Sequence, residues 1–189
     1  ILYNFQLMKL AGEDGIAAYG VIMYINIIFM SIFLGYSIGS APIVSYHYGA
    51  GNHSELKNLF HKSLTFLMIS GVLLLVGSEA LARPLSAIFV NYDAALLDLT
   101  VRGFQIYSLA FLIMGINVWG SSFFTALNNG LVSALISFLR TLVFQIIVIM
   151  VLPVLLGVDG IWFSIVAAEA MALFVTIGFL FTNRRKYHY

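Results

Sequence analysis

The stretch APIVSYHYGAGN, residues 41–52, stands at a border between two solvents. Before it lies a long apolar run; after it come His53, Glu55, Lys57, His61 and Lys62. The border carries Pro42, the three rings of Tyr46, His47 and Tyr48, and the glycines Gly49 and Gly51. The simplest physical reading is a helix that leaves a membrane. Pro42 removes one backbone hydrogen bond, the rings settle at headgroup level, and the glycines let the chain turn into the next helix.

Composition decides which solvent lies upstream. Hydrophobic residues make up 61% of the 189-residue chain and charged residues only 9%, with a mean hydropathy of +1.00, whereas soluble domains carry about 25% charge. That much apolar surface has no polar cover, so lipid is the solvent. A net charge of +1 with basic residues scattered singly until Arg184-Arg185-Lys186 gives no nucleic-acid surface. Without cysteine there is no disulfide, thiolate nucleophile or cysteine-ligated metal. The chain opens ILYNFQLMKL, with neither an initiator Met nor a basic leader, and reads as a piece of a longer protein.

A bilayer core about 30 Å thick needs roughly 20 apolar residues per helix. Five stretches meet that length, at residues 16–40, 63–82, 104–127, 131–156 and 160–181, with residues 1–10 as a helix stub. Gly12-Glu13-Asp14-Gly15, Arg83-Pro84, Asn128-Asn129-Gly130 and Gly157-Val158-Asp159-Gly160 are the expected breaks, and residues 83–103 read as an interfacial segment. Alternating the loops puts Lys57, Lys62, Arg140, Arg184, Arg185 and Lys186 on one side, against Lys9, Arg83 and Arg102 on the other. The positive-inside rule then places the C-terminus in the cytoplasm of a multi-pass protein of the plasma membrane. Asn52-His53-Ser54 matches a glycosylation acceptor but falls on the cytoplasmic side, and is discounted for that reason.

The motif P-x-x-S-Y-x-Y-G-A-G-N at Pro42–Asn52 resembles the signature that closes the second helix of each lobe in multidrug and toxic compound extrusion (MATE) transporters. The likeness continues through Tyr107-Ser108-Leu109-Ala110-Phe111, Gly115-Ile116-Asn117, Ala126-Leu127-Asn128-Asn129, Ser137-x-x-Arg140, Gly160-Ile161-Trp162 and Ala168-Glu169, in the order of that family's C-terminal half. The resemblance implies an all-α polytopic bundle: one six-helix lobe of a twelve-helix transporter, with its first helix truncated. It further implies a substrate cleft shared with the absent N-terminal lobe, and alternating access by rocking of one lobe against the other. On that reading Pro42, Gly49 and Gly51 form a cytoplasmic hinge. Some branches of the family place acids in the first and fourth helices of this lobe; Ile116–Gly120 carries none, so the choice between sodium and proton coupling stays open.

Charge inside a bilayer is costly, which makes each intramembrane acid a functional candidate. Glu169 falls near the middle of the last span, where a carboxyl group either exchanges a proton or hydrogen-bonds a neighbouring helix. Glu79 lies four residues before Arg83, the spacing of an interfacial ion pair. Asn117 shares a helical face with Met114, Gly120, Ser121 and Phe124, a mixed polar, aromatic and sulfur surface suited either to a flat organic cation or to core packing. Asn26, Met30 and Tyr36 on the first span are candidates of the same kind. The expected partners are therefore a small, cationic, amphipathic substrate and the lipid bilayer, with a coupling H⁺ or Na⁺ and no other cofactor or metal.

Three other functions compete. An intramembrane enzyme built on His47 and Glu169 lacks a His-Glu-x-x-His, a Gly-x-Ser-x-Gly and paired aspartates, so no catalytic residue is assigned. A lipid or oligosaccharide flippase of a related fold would need mid-membrane cations to hold phosphates, and none is expected in the spans. A purely structural membrane subunit would show no substrate flux.

Overall fold

In lipid every backbone N–H and C=O must find a partner within the protein, which leaves helices as the economical solution for a single lobe. The computed structural model describes residues 1–189, and 135 of its 155 backbone hydrogen bonds lie inside helices, with no strand anywhere. Seven helices follow one another: α1 Leu2–Gly49, α2 His53–Val90, α3 Ala94–Ser108, α4 Phe111–Ala126, α5 Gly130–Phe138, α6 Phe144–Leu156 and α7 Val158–Tyr187. A π-helical turn, Leu139–Val143, joins α5 to α6. Four stretches are long and apolar enough to cross a membrane: α1, α2, Gly130–Leu156 and α7. A fifth is added if α3 and α4, bent by 51°, act as one broken span.

The stub and the first span merge into α1, broken at Gly12, whose φ of 64° and ψ of −151° belong to a region only glycine occupies freely. The segment before the break packs on α6, through Tyr3 Oη donating to Gln145 Oε1 at 2.6 Å and Gln6 Nε2 donating to the Ile149 carbonyl. Beyond Gly12 the torsions stay helical through Pro42 as far as Gly49, roughly 55 Å at 1.5 Å per residue. That exceeds the bilayer core, so the end of α1 stands in headgroups or water. The turn to α2 is then made at Gly51, φ 66°, and Asn52 caps α2 by accepting from the Glu55 N–H. The supposed glycosylation acceptor is thus a helix cap.

Two expectations of the sequence are overturned in the second half of α2. Arg83-Pro84 does not end the helix, which runs on to Val90; the first residues of the presumed interfacial segment are helical, and α3 begins at Ala94 under an Asp93 cap. Nor does Glu79 pair with Arg83. Arg83 reaches Asp98 of α3 at 3.0 Å, while Glu79 accepts from Gln105 and Ser108 of the same helix. Both Arg83 and Asp98 are about two-thirds exposed, so their pair adds little stability. A further exposed pair, Arg102 with Asp159, ties α3 to α7.

Helix α4 is the axis of the lobe, packing on α1, α2, α5 and α7. Lipid supplies no hydrophobic drive between helices, and small and hydroxyl residues do the joining instead. On the α1 side, Trp119 donates to Ser40, Ser122 to the Ser37 carbonyl, and Ser45 to the Ala126 carbonyl. On the α5 side, Ser121, Ser133, Ser137 and Thr125 form one chain of hydroxyls.

The two glycines of the border turn play unequal parts. A Cβ at either would meet open space, but only Gly51 holds a left-handed φ. Gly51→Val should therefore cost about 1–2 kcal/mol of backbone strain and lower the thermal midpoint of the detergent-solubilised protein. Gly49→Ala should leave the midpoint unchanged or slightly raised, since alanine is the better helix former. Equal responses to the two substitutions would contradict this account of the turn.

Candidate functional site

The π turn at Leu139–Val143, closed by the Phe144 N–H on the Leu139 carbonyl, adds one residue to a helical turn and carries Arg140. Such bulges recur at functional positions. Arg140 lies well inside the 27-residue apolar stretch Gly130–Leu156, not in a loop. Its side chain is 15% exposed, and Nε donates to both carboxylate oxygens of Glu169, at 2.8 and 3.0 Å. Glu169 is almost wholly enclosed, with 2% of its side chain exposed. Asn117 of α4 completes the cluster: Nδ2 donates to Glu169 Oε2 at 2.7 Å and to the Glu169 main-chain carbonyl at 2.9 Å.

This arrangement corrects two expectations. Arg140 is not one of the loop charges, and the spans do hold a mid-membrane cation. Neither carboxylate oxygen of Glu169 is free, so the acid is one half of a neutral pair, anchored by an amide from a third helix. The sequence signal for Arg140 was its place within an apolar run, where any charge is a functional candidate; counting loop charges by alternation hid it.

Two cavities meet at Arg140. The larger, about 520 Å³, is bordered by the Tyr3–Tyr19 stack (centroids 5.3 Å apart), by Met23, Met30 and Met114, and by Asn26 and Glu169. The smaller, about 280 Å³, lies between Met30, Ser37, Asn117, Ser121 and Ser137. Asn26 Oδ1 and Asn117 Oδ1 are buried acceptors without a partner. An unpartnered buried amide oxygen is costly, which makes these atoms places where a ligand donor or a water is expected.

The structure thus gathers Glu169, Asn117, Asn26, Met30, Met114 and Ser121 around the two cavities, with Ser121 also bound into the hydroxyl chain on α5. It does not bring Tyr36 or Phe124 there. Tyr36 donates to Ser63 and stacks on Phe66 at the α1–α2 seam, and Phe124 is fully buried beside Phe123. Pro42, Gly49 and Gly51 stay together in the helix end and turn described above. Sequence reasoning missed Arg140, Tyr3, Tyr19 and Tyr107 as cavity residues; tyrosines spread over three segments leave no local pattern to find.

Removing one member of a buried pair strands the other. Arg140→Met should destabilise the protein by about 3–5 kcal/mol, whereas Arg140→Met combined with Glu169→Gln should recover most of the loss, because a neutral amide needs no counter-charge. Thermal unfolding in detergent measures both. A double variant as unstable as the single one would show that the pair is not what holds these helices.

The family model MatE matches residues 1–151. No curated protein matches the sequence. Among solved structures, the outward-facing conformation of a multidrug resistance MATE family transporter of the MOP superfamily is similar, with a TM-score of 0.87 and 19% identity over 97% of this chain and 41% of that one. The Vibrio cholerae MATE transporter VcmN in its bent form gives 0.88 and 16%, covering 97% and 42%. A MOP superfamily transporter from Pyrococcus furiosus, described as having a binding pocket of reverse polarity, gives 0.86 and 18%, covering 97% and 41%. The chain spans about two fifths of the length of these transporters. At such identities the likeness speaks for the fold, and the fold is that of a MATE lobe. With the family model matched over most of its length, this multi-pass membrane chain belongs to the MATE family of transporters.

Proposed function

We propose that this lobe works with a second lobe as a cation-coupled antiporter that exports small amphipathic organic cations by alternating access. The observation that carries the reading is the enclosed Arg140–Glu169–Asn117 cluster at the meeting of two cavities edged by methionine and tyrosine. While Arg140 and Glu169 are paired, the site is neutral, and a flat cation is held through ring faces and adaptable thioethers. When Glu169 takes up a proton, or a sodium ion takes the carboxylate, Arg140 loses its partner. Its charge then opposes the bound cation. For unit charges some 8 Å apart at an effective dielectric constant of about 20, the repulsion is about 2 kcal/mol, roughly a thirtyfold change in affinity. Ion entry and substrate exit are thereby linked at one residue.

The proposed orientation keeps the C-terminus in the cytoplasm of a plasma-membrane protein. With Arg140 withdrawn from the loop count, Lys57, Lys62, Arg184, Arg185 and Lys186 still outnumber Lys9, Arg83 and Arg102. A second reading, a flippase for phosphate-bearing lipids or oligosaccharides, gains from the mid-span Arg140 that the sequence had not promised. It is the weaker of the two because the guanidinium is already engaged by Glu169.

The test is efflux of a fluorescent organic cation from vesicles carrying the two-lobed transporter, under an imposed proton or sodium gradient, with and without Glu169→Gln. Gradient-driven efflux is expected, reduced roughly a hundredfold or more by the substitution, the lower end of what one proton-transferring group contributes. Efflux that survives Glu169→Gln would return the glutamate to a structural role. No efflux under either gradient would favour the flippase.

A further inference from the structure

The largest cavity of the lobe, about 800 Å³, lies away from the charge pair, between the N-terminal half of α2 and the C-terminal end of α7. Both helices pack against α4, and Ile116 of α4 lines the cavity between them. Phe60, Leu64 and Met68 form the α2 wall at helical spacing; Ile177, Leu180 and Phe181 form the α7 wall. From Lys57 to Met68 the wall is about 16 Å long, close to half of a bilayer core of about 30 Å. The groove therefore has the depth of one leaflet.

Its mouth is basic. Lys57, His61, Arg184 and Arg185 line it, and no acidic residue does. None of the chain's three ion pairs involves Lys57, Arg184 or Arg185. Arg184 lies over the Phe181 ring at 4.2 Å, and His61 Nδ1 faces the Lys57 carbonyl. An apolar slot one leaflet deep, under a rim of unpaired cations, is complementary to a molecule with an acyl tail and an acidic head.

We infer that this α2–α7 groove binds an anionic phospholipid, its phosphate held by Lys57, Arg184 and Arg185 and one acyl chain lying along Leu64 and Met68. Basic pockets between membrane helices on the cytoplasmic side favour such headgroups, and the proposed orientation turns this end to that leaflet. The site is separate from the Arg140 cavities, so the inference stands or falls apart from the transport reading.

Native mass spectrometry of the full chain in a mild detergent tests it, with dioleoyl phosphatidylglycerol and dioleoyl phosphatidylcholine as probes at equal concentration. Phosphatidylglycerol should be retained at least about tenfold better, each basic side chain near a headgroup being worth roughly fivefold. Lys57→Gln/Arg184→Gln/Arg185→Gln should abolish that preference. Leu64→Trp, which fills the slot without changing charge, should lower retention of phosphatidylglycerol in a chain that keeps its rim. Equal retention of the two lipids by the unaltered chain would overturn the inference, as would a preference that both variants keep. Competition by glycerol phosphate at the same concentration as the lipid would overturn it too, since the tail would then contribute nothing.

Discussion

Arg140 and Glu169 are opposite charges enclosed in the middle of a membrane lobe, and neither is tolerable there without the other. The rest of the packing accommodates them. The π turn brings the guanidinium to α7, and Asn117 comes from α4 to saturate the carboxylate. For that amide to reach both the side chain and the main-chain carbonyl of Glu169, α4 and α7 must lie almost in backbone contact. Small residues make this possible: Ala168 and Ala172 are buried beside the glutamate, and a Cβ on Gly120, one turn beyond Asn117, would come within 2.5 Å of Thr176 Cγ2. The cluster and the close crossing require one another.

Elsewhere the lobe is joined by hydroxyls rather than by oil. An apolar side chain gains little by leaving lipid for a neighbouring helix, which is why large residues such as Ile28, Ile38, Val154 and Phe174 lie exposed without forming an abnormal patch. What lipid cannot supply is a hydrogen-bond partner. The hydroxyls of Ser45 and Ser122 across the α1–α4 seam, and of Ser121 across the α4–α5 seam, therefore set register as well as adhesion, because each bonds a specific group on the facing helix. Helix α4 carries both seams and the amide of the charge cluster, so it is the element through which movement at the pair would be felt elsewhere.

Much of this was legible in the chain. Composition gave the solvent, the apolar runs pointed to a bundle of four or five crossing helices, and Pro42–Asn52 marked a helix end whose turn is made at Gly51. The failures have physical causes. Arg83-Pro84 looked like a stop, but proline is tolerated inside membrane helices, and this one continues to Val90. The 51° break at Leu109–Ala110 falls in a stretch without proline or glycine, where no local signal exists and packing decides. Glu79 has the right spacing for Arg83, yet α3 offers it two donors and offers the arginine a carboxylate. Of the candidate site residues, Glu169 and Asn117 stood out because a polar group in lipid is conspicuous; Phe124 and Tyr36 could not be sorted because an aromatic stripe has the same period whether it faces a cavity or a core.

Position across the membrane governs what a charge can do in this protein. At the headgroup level water and salt screen a cation within about 8 Å, so Lys57, Arg184 and Arg185 persist without a carboxylate partner and stay open to whatever acid approaches. In the middle of the span an unpaired charge is penalised by several kcal/mol, so Arg140 becomes available only when something else satisfies Glu169. The first setting suits standing occupancy by a lipid; the second suits exchange, because releasing one charge demands capturing another. On the two proposals above, a single lobe would hold a constitutive binding surface at its rim and a conditional one at its centre, the difference following from the dielectric around each group rather than from its identity.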